Sequence, residues 1–313
     1  MTLFDALRDR EAVQPPQLVV QGVTTGAKGY LLARLFVEHM APLLIVTPDA
    51  RQRDLLYDDL RCFLADFLST SSSAVTSPVC VYRYAYTAPA ARDSIAYQQQ
   101  RALFTYQPLW RLLKAEAVIV VTEAASLCYN VVSPEELQRC LLPMHVGESY
   151  AIDRLGMALV ARGYRRVPLV EALGEFSVRG GILDLFSPGQ HNPWRLEFFG
   201  DEIETIRTFD VASQVSIEAL SSITIAPMHP LNRRSLDQTA KVAYLREHIQ
   251  AQGCPPTRVT AYLERWHSQH PAAWPWGIDA FFYETLHSPL AYLPPSGLLC
   301  GVDAEDIFLI LQQ

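Results

Sequence analysis

One glycine-rich segment of this sequence has the residue types and the spacing that could bind a phosphate. Gln21-Gly-Val-Thr-Thr-Gly-Ala-Lys-Gly29 lies between an apolar run and an amphipathic segment, where phosphate-binding loops are found. In the working pattern, G-x-x-x-x-G-K-[ST], the glycines let backbone N–H groups surround the phosphates, the lysine neutralises the outer ones and the final hydroxyl ligates magnesium. We therefore predict a loop from Gly22 to Gly29.

Two of the four fixed positions of that pattern are lost. Counting from Gly22, Ala27 stands at the second glycine and Gly29 at the serine or threonine, whereas Lys28 is retained. Because Gly29 cannot ligate magnesium, metal-assisted phosphoryl transfer lacks a group that it needs. We predict that Gly22, Gly26, Lys28 and Gly29 form a vestigial phosphate loop without ATP or another cofactor, in a chain that is not an enzyme. An active nucleotidase and an unrelated strand-to-helix turn remain as alternatives.

Metal-binding side chains do not occur at ligand spacing. The six cysteines contain no C-x-x-C pair and the eight histidines are scattered, so we predict neither a metal site nor a disulfide framework. The acidic run from Asp201 to Glu204 could suggest a magnesium site. Its place between two alternating strands predicts a solvated turn instead.

Strands and helices alternate in the first third of the chain. Uninterrupted apolar runs predict buried strands at Gln17–Val20, Leu43–Thr47 and Ala117–Thr122. Helical spacing of apolar residues predicts helices at Tyr30–Met40 and Ala50–Phe67. Buried strands separated by helices are typical of a parallel sheet that is covered on both faces, so we predict an α/β fold for this part.

The pattern changes to alternating strands after residue 126. Phe176–Phe186 alternates around a glycine pair, and Trp194–Phe199 and Glu202–Arg207 flank a short polar connection, which predicts a β-hairpin. Phe176 and Phe186 share the same alternation parity, so we expect at least one of them in the core. These features predict a second, α+β domain with an antiparallel sheet.

The last hundred residues are less regular. Ile223–Pro227 and Leu298–Gly301 are predicted strands, and Leu236–Gln252 and Pro256–His270 are predicted helices. The changes of pattern divide the chain into residues 1–127, 128–215 and 216–313.

The composition excludes several classes of protein. The 313 residues are half hydrophobic and have a net charge of −7, which argues against nucleic-acid binding through a general electrostatic field. The first ten residues include acids where a signal peptide would be basic, and no apolar run reaches the roughly 18 residues of a membrane-spanning helix. We expect a soluble, cytoplasmic protein.

The sequence resembles a known family over nearly its whole length. The specific stretches are Gly174-Glu-Phe-Ser-Val-Arg-Gly-Gly-Ile-Leu-Asp-Leu-Phe186 and Arg195-Leu-Glu-Phe-Phe-Gly-Asp-Glu-Ile-Glu-Thr-Ile-Arg-Thr-Phe-Asp210. They resemble the N-terminal region of the bacterial transcription-repair coupling factors, the Mfd family, which is itself similar to the excision-repair helicase UvrB.

This resemblance implies a module of three domains. Domain 1a, residues 1–127, would be a degenerate RecA-like core, and domain 1b, residues 216–313, would complete it. The inserted domain 2, residues 128–215, would bind the damage-recognition protein UvrA. The resemblance also implies autoinhibitory contacts with the C-terminal regions of the full-length coupling factor. RNA polymerase and DNA would be bound only by domains absent here, including an ATP-dependent translocase motor.

The resemblance points to particular residues for UvrA binding. It places a contact arginine at Arg179 and basic contact residues at Arg165 and Arg166, and we add Phe176 and Phe186 as candidates. A guanidinium suits bidentate pairing with partner carboxylates. The alternatives are an internal salt bridge of Arg179 to Glu175 or Glu197, and a solvated surface pair at Arg165 and Arg166.

A UvrB-type, nucleotide-dependent DNA helicase component is the alternative function. The retained Lys28 favours it. UvrB also has an aromatic-rich β-hairpin that binds DNA, whereas the corresponding stretch here has only Tyr82, Tyr84, Tyr86 and Tyr97 and no glycine turn. We predict ordinary packing for these tyrosines rather than base stacking.

Overall fold

The computed structural model describes residues 20–70, 81–86, 99–100, 102–114, 117–228 and 286–311, with isolated positions between 243 and 260. The chain divides into two units: residues 1–84, 114–128 and 293–313 form unit 1, and residues 85–113 and 129–292 form unit 2. The division into three domains at residues 127 and 215 stays a prediction. The strand predicted at Gln17–Val20 and the helices predicted at Leu236–Gln252 and Pro256–His270 lie wholly or mostly outside the described residues.

The described residues form both helices and strands. The helices are α1 Thr25–His39, α2 Ala50–Thr70, α3 Gln107–Leu113 after a π-helical turn at Ala102–Tyr106, α4 Ala124–Leu127, α5 Pro134–Cys140, α6 Ile152–Ala161 and α7 Ala304–Leu311. The strands are β1 Leu43–Thr47, β2 Val81–Tyr84, β3 Ile119–Glu123, β4 Val131–Val132, β5 Leu142–His145, β6 Arg165–Arg166, β7 Glu175–Arg179, β8 Ile182–Leu185, β9 Trp194–Phe199, β10 Glu202–Phe209, β11 Ser216–Leu220, β12 Ser222–Ile225, β13 Leu286–His287 and β14 Leu298–Gly301.

Unit 1 contains a parallel sheet in the order β14-β1-β3-β2. All five residues of β1 are buried, as expected for a central parallel strand that is covered on both faces. Apolar residues of α1 and α2, including Ala33, Phe36 and Leu60, pack with those of the sheet in one core. The strand predicted at Leu298–Gly301 is confirmed, and as β14 it pairs in parallel with β1.

The helix α1 corrects one prediction. It begins at Thr25, so the second half of the expected Gly22–Gly29 loop is helical. The N–H of Ala27 donates to the carbonyl of Thr24 at 3.0 Å, which is a bond of the first helical turn. In the described part of the chain, no helix is long and apolar enough to cross a membrane.

Unit 2 contains a six-stranded sheet in the order β11-β10-β9-β8-β7-β6. Neighbouring strands are antiparallel except β6 and β7, which are parallel. One face of the sheet packs with Leu155 and Leu159 of α6 in a large apolar core. The sheet extends past residue 215, because β11 pairs with β10. A parallel α/β sheet followed by an antiparallel α+β part confirms the predicted fold class.

The hairpin of β7 and β8 turns at the glycine pair. Gly180 has a φ of +59°, a left-handed conformation that favours glycine. A Cβ on Gly181 would lie 2.7 Å from the carbonyl oxygen of Phe198, so the close approach of β9 needs the absent side chain. These two glycines therefore shape the turn.

Candidate functional site

The lysine of the expected phosphate loop is bonded to a carboxylate of the same unit. Lys28 lies in the first turn of α1, and its Nζ donates to both carboxylate oxygens of Asp303, at 2.6 and 2.8 Å. Asp303 lies between β14 and α7. Because helix begins at Thr25, Gly26 is already in the helix and only Gly22, with a φ of +74°, precedes it in a turn-forming conformation. The open cradle of backbone N–H groups that a phosphate needs is replaced by helix.

Gly29 is buried where α1 contacts α2. A Cβ at this position would lie 2.7 Å from Cβ of Asp59 and 3.4 Å from Cε2 of Phe63. The helix packing therefore requires glycine at the position where the phosphate-loop pattern needs a serine or threonine. Gly26 differs, because a Cβ there would meet nothing within 4 Å.

The carboxyl edge of the parallel sheet is where nucleotides bind in α/β proteins. Here Glu123, at the end of β3, accepts bonds from Arg53 Nη1 and from Ser126 Oγ, each at 2.5 Å. The buried hydroxyl of Thr47 donates to the carbonyl of Thr122 at 3.1 Å. Each of these polar groups thus has a hydrogen-bond partner within the protein. Within the described ranges, no group of three or more His, Cys, Asp and Glu side chains could hold a metal ion.

The tyrosines of the stretch that corresponds to the UvrB hairpin differ in exposure. Tyr84 is fully buried, which confirms its predicted packing role. The ring of Tyr86 stacks on that of Tyr129, with centroids 3.9 Å apart. Tyr97 lies outside the described residues.

The sheet of unit 2 has a polar face opposite its core. We call this the outer face and define it by alternation along the strands and by the register of Ser177 with Asp184 and of Asp184 with Arg195. On the three central strands, its members are Glu175, Ser177, Arg179, Ile182, Asp184, Arg195, Glu197 and Phe199.

Arg179 lies on the outer face with its side chain 48% exposed. Its Nη2 donates to Oδ2 of Asp184 at 2.7 Å. The alternative of an internal salt bridge of Arg179 is therefore confirmed, but its partner is Asp184, the diagonal neighbour on β8, rather than Glu175 or Glu197. Asp184 itself is only 1% exposed.

A second arginine binds the same buried carboxylate. Arg195 Nε and Nη2 donate to the two oxygens of Asp184 at 2.7 and 2.9 Å, and Nη1 donates to the carbonyl of Gln214 at 3.1 Å. The hydrogen bonds to Asp184 raise the pKa of Arg195 above its ordinary value. Sequence reasoning missed Asp184 and Arg195 as site residues. The signal was available: an acid and an arginine stand at polar positions of two adjacent alternating strands.

Arg165 and Arg166 lie on opposite sides of their short strand. Arg165 is in register with Glu175 and forms an ion pair with its carboxylate, which places the guanidinium on the outer face. Arg166 is in register with Phe176, on the other side, and is exposed. Its side chain has no hydrogen-bond or ion-pair partner among the residues that the structure describes. The structure thus brings Arg165, but not Arg166, to the face of Arg179.

The two candidate phenylalanines also lie on opposite sides. Phe176 is fully buried in the core, so it is a core residue with no side-chain surface for a partner, which corrects its assignment to the binding surface. Phe186 is half-buried and follows Leu185, the register partner of Phe176. The prediction that the two lie on the same face of the hairpin is wrong. The tight turn at Gly180 places Phe176 opposite Leu185, so the next residue, Phe186, is on the other face. Phe186 lies next to Glu175, whose carbonyl accepts its N–H at 2.9 Å.

The outer face also has an exposed apolar residue. Phe199, at the end of β9, is 80% exposed, the largest value among the exposed apolar side chains of the described residues. Exposed aromatic residues beside arginines are typical of protein-binding surfaces. The arrangement can bind carboxylates through Arg165 and Arg179 and apolar groups through Phe186 and Phe199.

Comparison with known proteins places this sheet in a defined class. Residues 142–230, which include β5–β12, match the UvrB interaction domain. The chain therefore contains a UvrB interaction domain. The match includes all of the outer face.

Relatives extend the similarity beyond that domain. The chain is 36% identical over 226 residues to the transcription-repair-coupling factor of Myxococcus xanthus, which is 72% of this chain and 18% of the relative. It is 27% identical over 292 residues to that of Escherichia coli, 90% of this chain and 23% of the relative. UvrABC system protein B of Francisella tularensis is 27% identical over 216 residues, 67% of this chain and 31% of the relative.

These relatives confirm the resemblance to the N-terminal UvrB-like module of the transcription-repair-coupling factors. The chain spans only about a fifth of the length of the coupling factors named above, at 18% and 23%.

Proposed function

We propose that this chain is a non-catalytic adapter module of a transcription-repair coupling factor and that it recruits UvrA in nucleotide excision repair. The observation that supports this most directly is the UvrB interaction domain at residues 142–230, whose outer face presents Arg165, Arg179 and the exposed Phe199. The module works in the cytoplasm. RNA polymerase and DNA are bound by other domains of the coupling factor.

The arginines of the outer face bind carboxylates of UvrA. A guanidinium has five N–H donors, and the bond of Arg179 to Asp184 uses one of them. With its side chain about half exposed, Arg179 has donors left for a bidentate pair with a partner. Phe186 and Phe199 add apolar contact area around these polar pairs. In the full-length coupling factor, the same face binds the C-terminal regions in the autoinhibited state.

Binding to purified UvrA tests this proposal. We expect saturable binding of the wild-type chain in a titration by calorimetry. Arg179→Ala and Arg165→Ala each weaken it by about 1.5–3 kcal/mol, the usual value of a hydrogen bond to a charged group. The matched control is Arg154→Ala, because Arg154 is an exposed arginine of α6 away from the outer face. Wild-type chain that does not bind UvrA would overturn the adapter role, and undiminished binding by the Arg165→Ala, Arg179→Ala double variant would remove the outer face from it.

The module needs no nucleotide in this role. Lys28 is paired with Asp303, and Gly29 provides no magnesium ligand. The UvrB-type helicase component remains the second candidate because Lys28 is retained in the first turn of α1. That function predicts ATP binding that Lys28→Ala abolishes, and calorimetry with millimolar MgATP distinguishes the two.

A further inference from the structure

The two exposed arginines of the outer face share one structural feature: each is bonded to a buried carboxylate of the same sheet. Arg165, with its side chain 47% exposed, pairs with Glu175, which is 8% exposed. Arg179, 48% exposed, pairs with Asp184, which is 1% exposed. The guanidinium of each arginine is thus hydrogen-bonded to the sheet, although its side chain is about half exposed.

Each carboxylate also has hydrogen-bond partners other than its exposed arginine, although Oε1 of Glu175 accepts its bond from Arg165. Oε2 of Glu175 accepts the N–H groups of Glu171 and Ala172, each at 2.9 Å. Both oxygens of Asp184 already accept bonds from Arg195. A buried carboxylate needs partners to offset its desolvation, and here backbone amides and Arg195 provide them. The bonds to Arg165 and Arg179 are additional, and they fix the position of a guanidinium that the fold could leave free.

We propose that Glu175 and Asp184 are positioning residues of the UvrA-binding surface, which hold Arg165 and Arg179 with their remaining N–H donors directed away from the sheet. This inference rests on the proposed function. Ordering a long side chain at an interface costs free energy, and an arginine that is held in place before binding avoids part of that cost. The complementary surface of the partner is acidic, because each held guanidinium keeps donors for a further carboxylate.

Double-mutant cycles with the full chain and UvrA test the inference. Asp184→Asn keeps the shape of the side chain and removes its charge, and Glu175→Gln does the same for the other pair. We expect each to weaken UvrA binding about tenfold in the wild-type background. In the Arg179→Ala background, Asp184→Asn has less than a twofold effect, and Glu175→Gln behaves in the same way in the Arg165→Ala background. Asp153→Asn, at an exposed acid of α6, is the matched control.

A merely structural role gives a different result. If the carboxylates only stabilise the sheet, each acid variant weakens binding by the same factor whether or not its arginine is present, and this outcome overturns the inference. Thermal unfolding of each variant identifies any that does not fold. Because Asp184 also binds Arg195, the Glu175 and Arg165 cycle decides the question if Asp184→Asn is unfolded. Failure of the wild-type chain to bind UvrA instead contradicts the proposed function itself.

Discussion

Lys28 donates to both carboxylate oxygens of Asp303, 275 residues further along the chain, at 2.6 and 2.8 Å. In a phosphate-binding loop the lysine at this place neutralises phosphate oxygens. Here the carboxylate of Asp303, which follows strand β14, takes the place of the phosphate as the lysine's partner. The φ of Asp303, +57°, is one of three positive values among the described non-glycine residues. The pair joins the first and last described helices of unit 1 through their N-terminal ends.

We predict that removing this pair changes stability little and restores no nucleotide binding. The side chains are 21% and 36% exposed, and ion pairs near the surface contribute about 0–1 kcal/mol. Lys28→Ala and Asp303→Asn should each lower the free energy of unfolding by no more than that, measured by denaturant titration; asparagine is chosen because, like aspartate, it tolerates the positive φ of this position. Asp303→Asn removes the charge that pairs with the lysine, yet MgATP should leave the melting temperature unchanged because α1 begins at Thr25. A rise in melting temperature with MgATP that Lys28→Ala removes would favour the helicase alternative.

We predict that Gly29 cannot be replaced without loss of stability. Gly29→Ala places a Cβ 2.7 Å from Cβ of Asp59, so α1 and α2 must separate, and overpacking of this kind costs about 1–3 kcal/mol. The matched control is Gly26→Ala in the same helix, where the added Cβ meets nothing within 4 Å. Alanine favours helix over glycine by about 0.5–1 kcal/mol, so the control should be neutral or stabilising. Equal changes in the two unfolding free energies would contradict the packing explanation.

The sequence predicts much of the parallel sheet but not the start of its first helix. The bounds of the strands Leu43–Thr47 and Leu298–Gly301 are correct. The first is buried on both faces, as its uninterrupted apolar run predicts, whereas the second lies at the edge of the sheet and Leu299 is exposed. The sequence predicts helix only from Tyr30, because the segment Gly22–Gly29 resembles a phosphate-binding loop. The structure instead includes Gly26 and Gly29 in α1, and Gly29 packs closely against Asp59 and Phe63 of α2.

The outer face shows why site residues are harder to predict than strands. Arg165 and Arg179 are exposed as expected, since polar positions of an alternating strand lie away from the core. The partner of Arg179 depends on the register of β7 with β8, and the turn at Gly180 sets that register. Pattern alone could not distinguish Asp184 from Glu175 or Glu197, all acids on the same face.

We predict that Tyr164→Phe destabilises the chain by about 1–2 kcal/mol, because it leaves buried groups without a partner. The hydroxyl of Tyr164 lies 2.9 Å from Oγ of Ser187 and donates to the carbonyl of Ala226 at 2.6 Å. Burial raises the pKa of Tyr164. Its phenolate absorbance should therefore appear only when the chain unfolds in alkali. Tyr129→Phe, at an exposed tyrosine, is the control and should change the unfolding free energy by less than about 0.5 kcal/mol.

We predict that Cys140 resists alkylation in the folded chain, whereas the exposed Cys62 and Cys128 react. Burial raises the pKa of Cys140 from 9.0 to about 11, so at pH 8 only about one thiol in a thousand is the reactive thiolate. Brief treatment with iodoacetamide at pH 8, followed by peptide mass spectrometry, measures the three rates in one sample. The folded state favours the neutral thiol because burial raises its pKa. The contribution of the Cys140 thiol to the free energy of unfolding is therefore complete below pH 9 and is lost as the pH rises through about 11. Cys140→Ala should therefore flatten the alkaline part of the stability profile, and labelling of native Cys140 as fast as that of Cys128 would show that its surroundings are open to water.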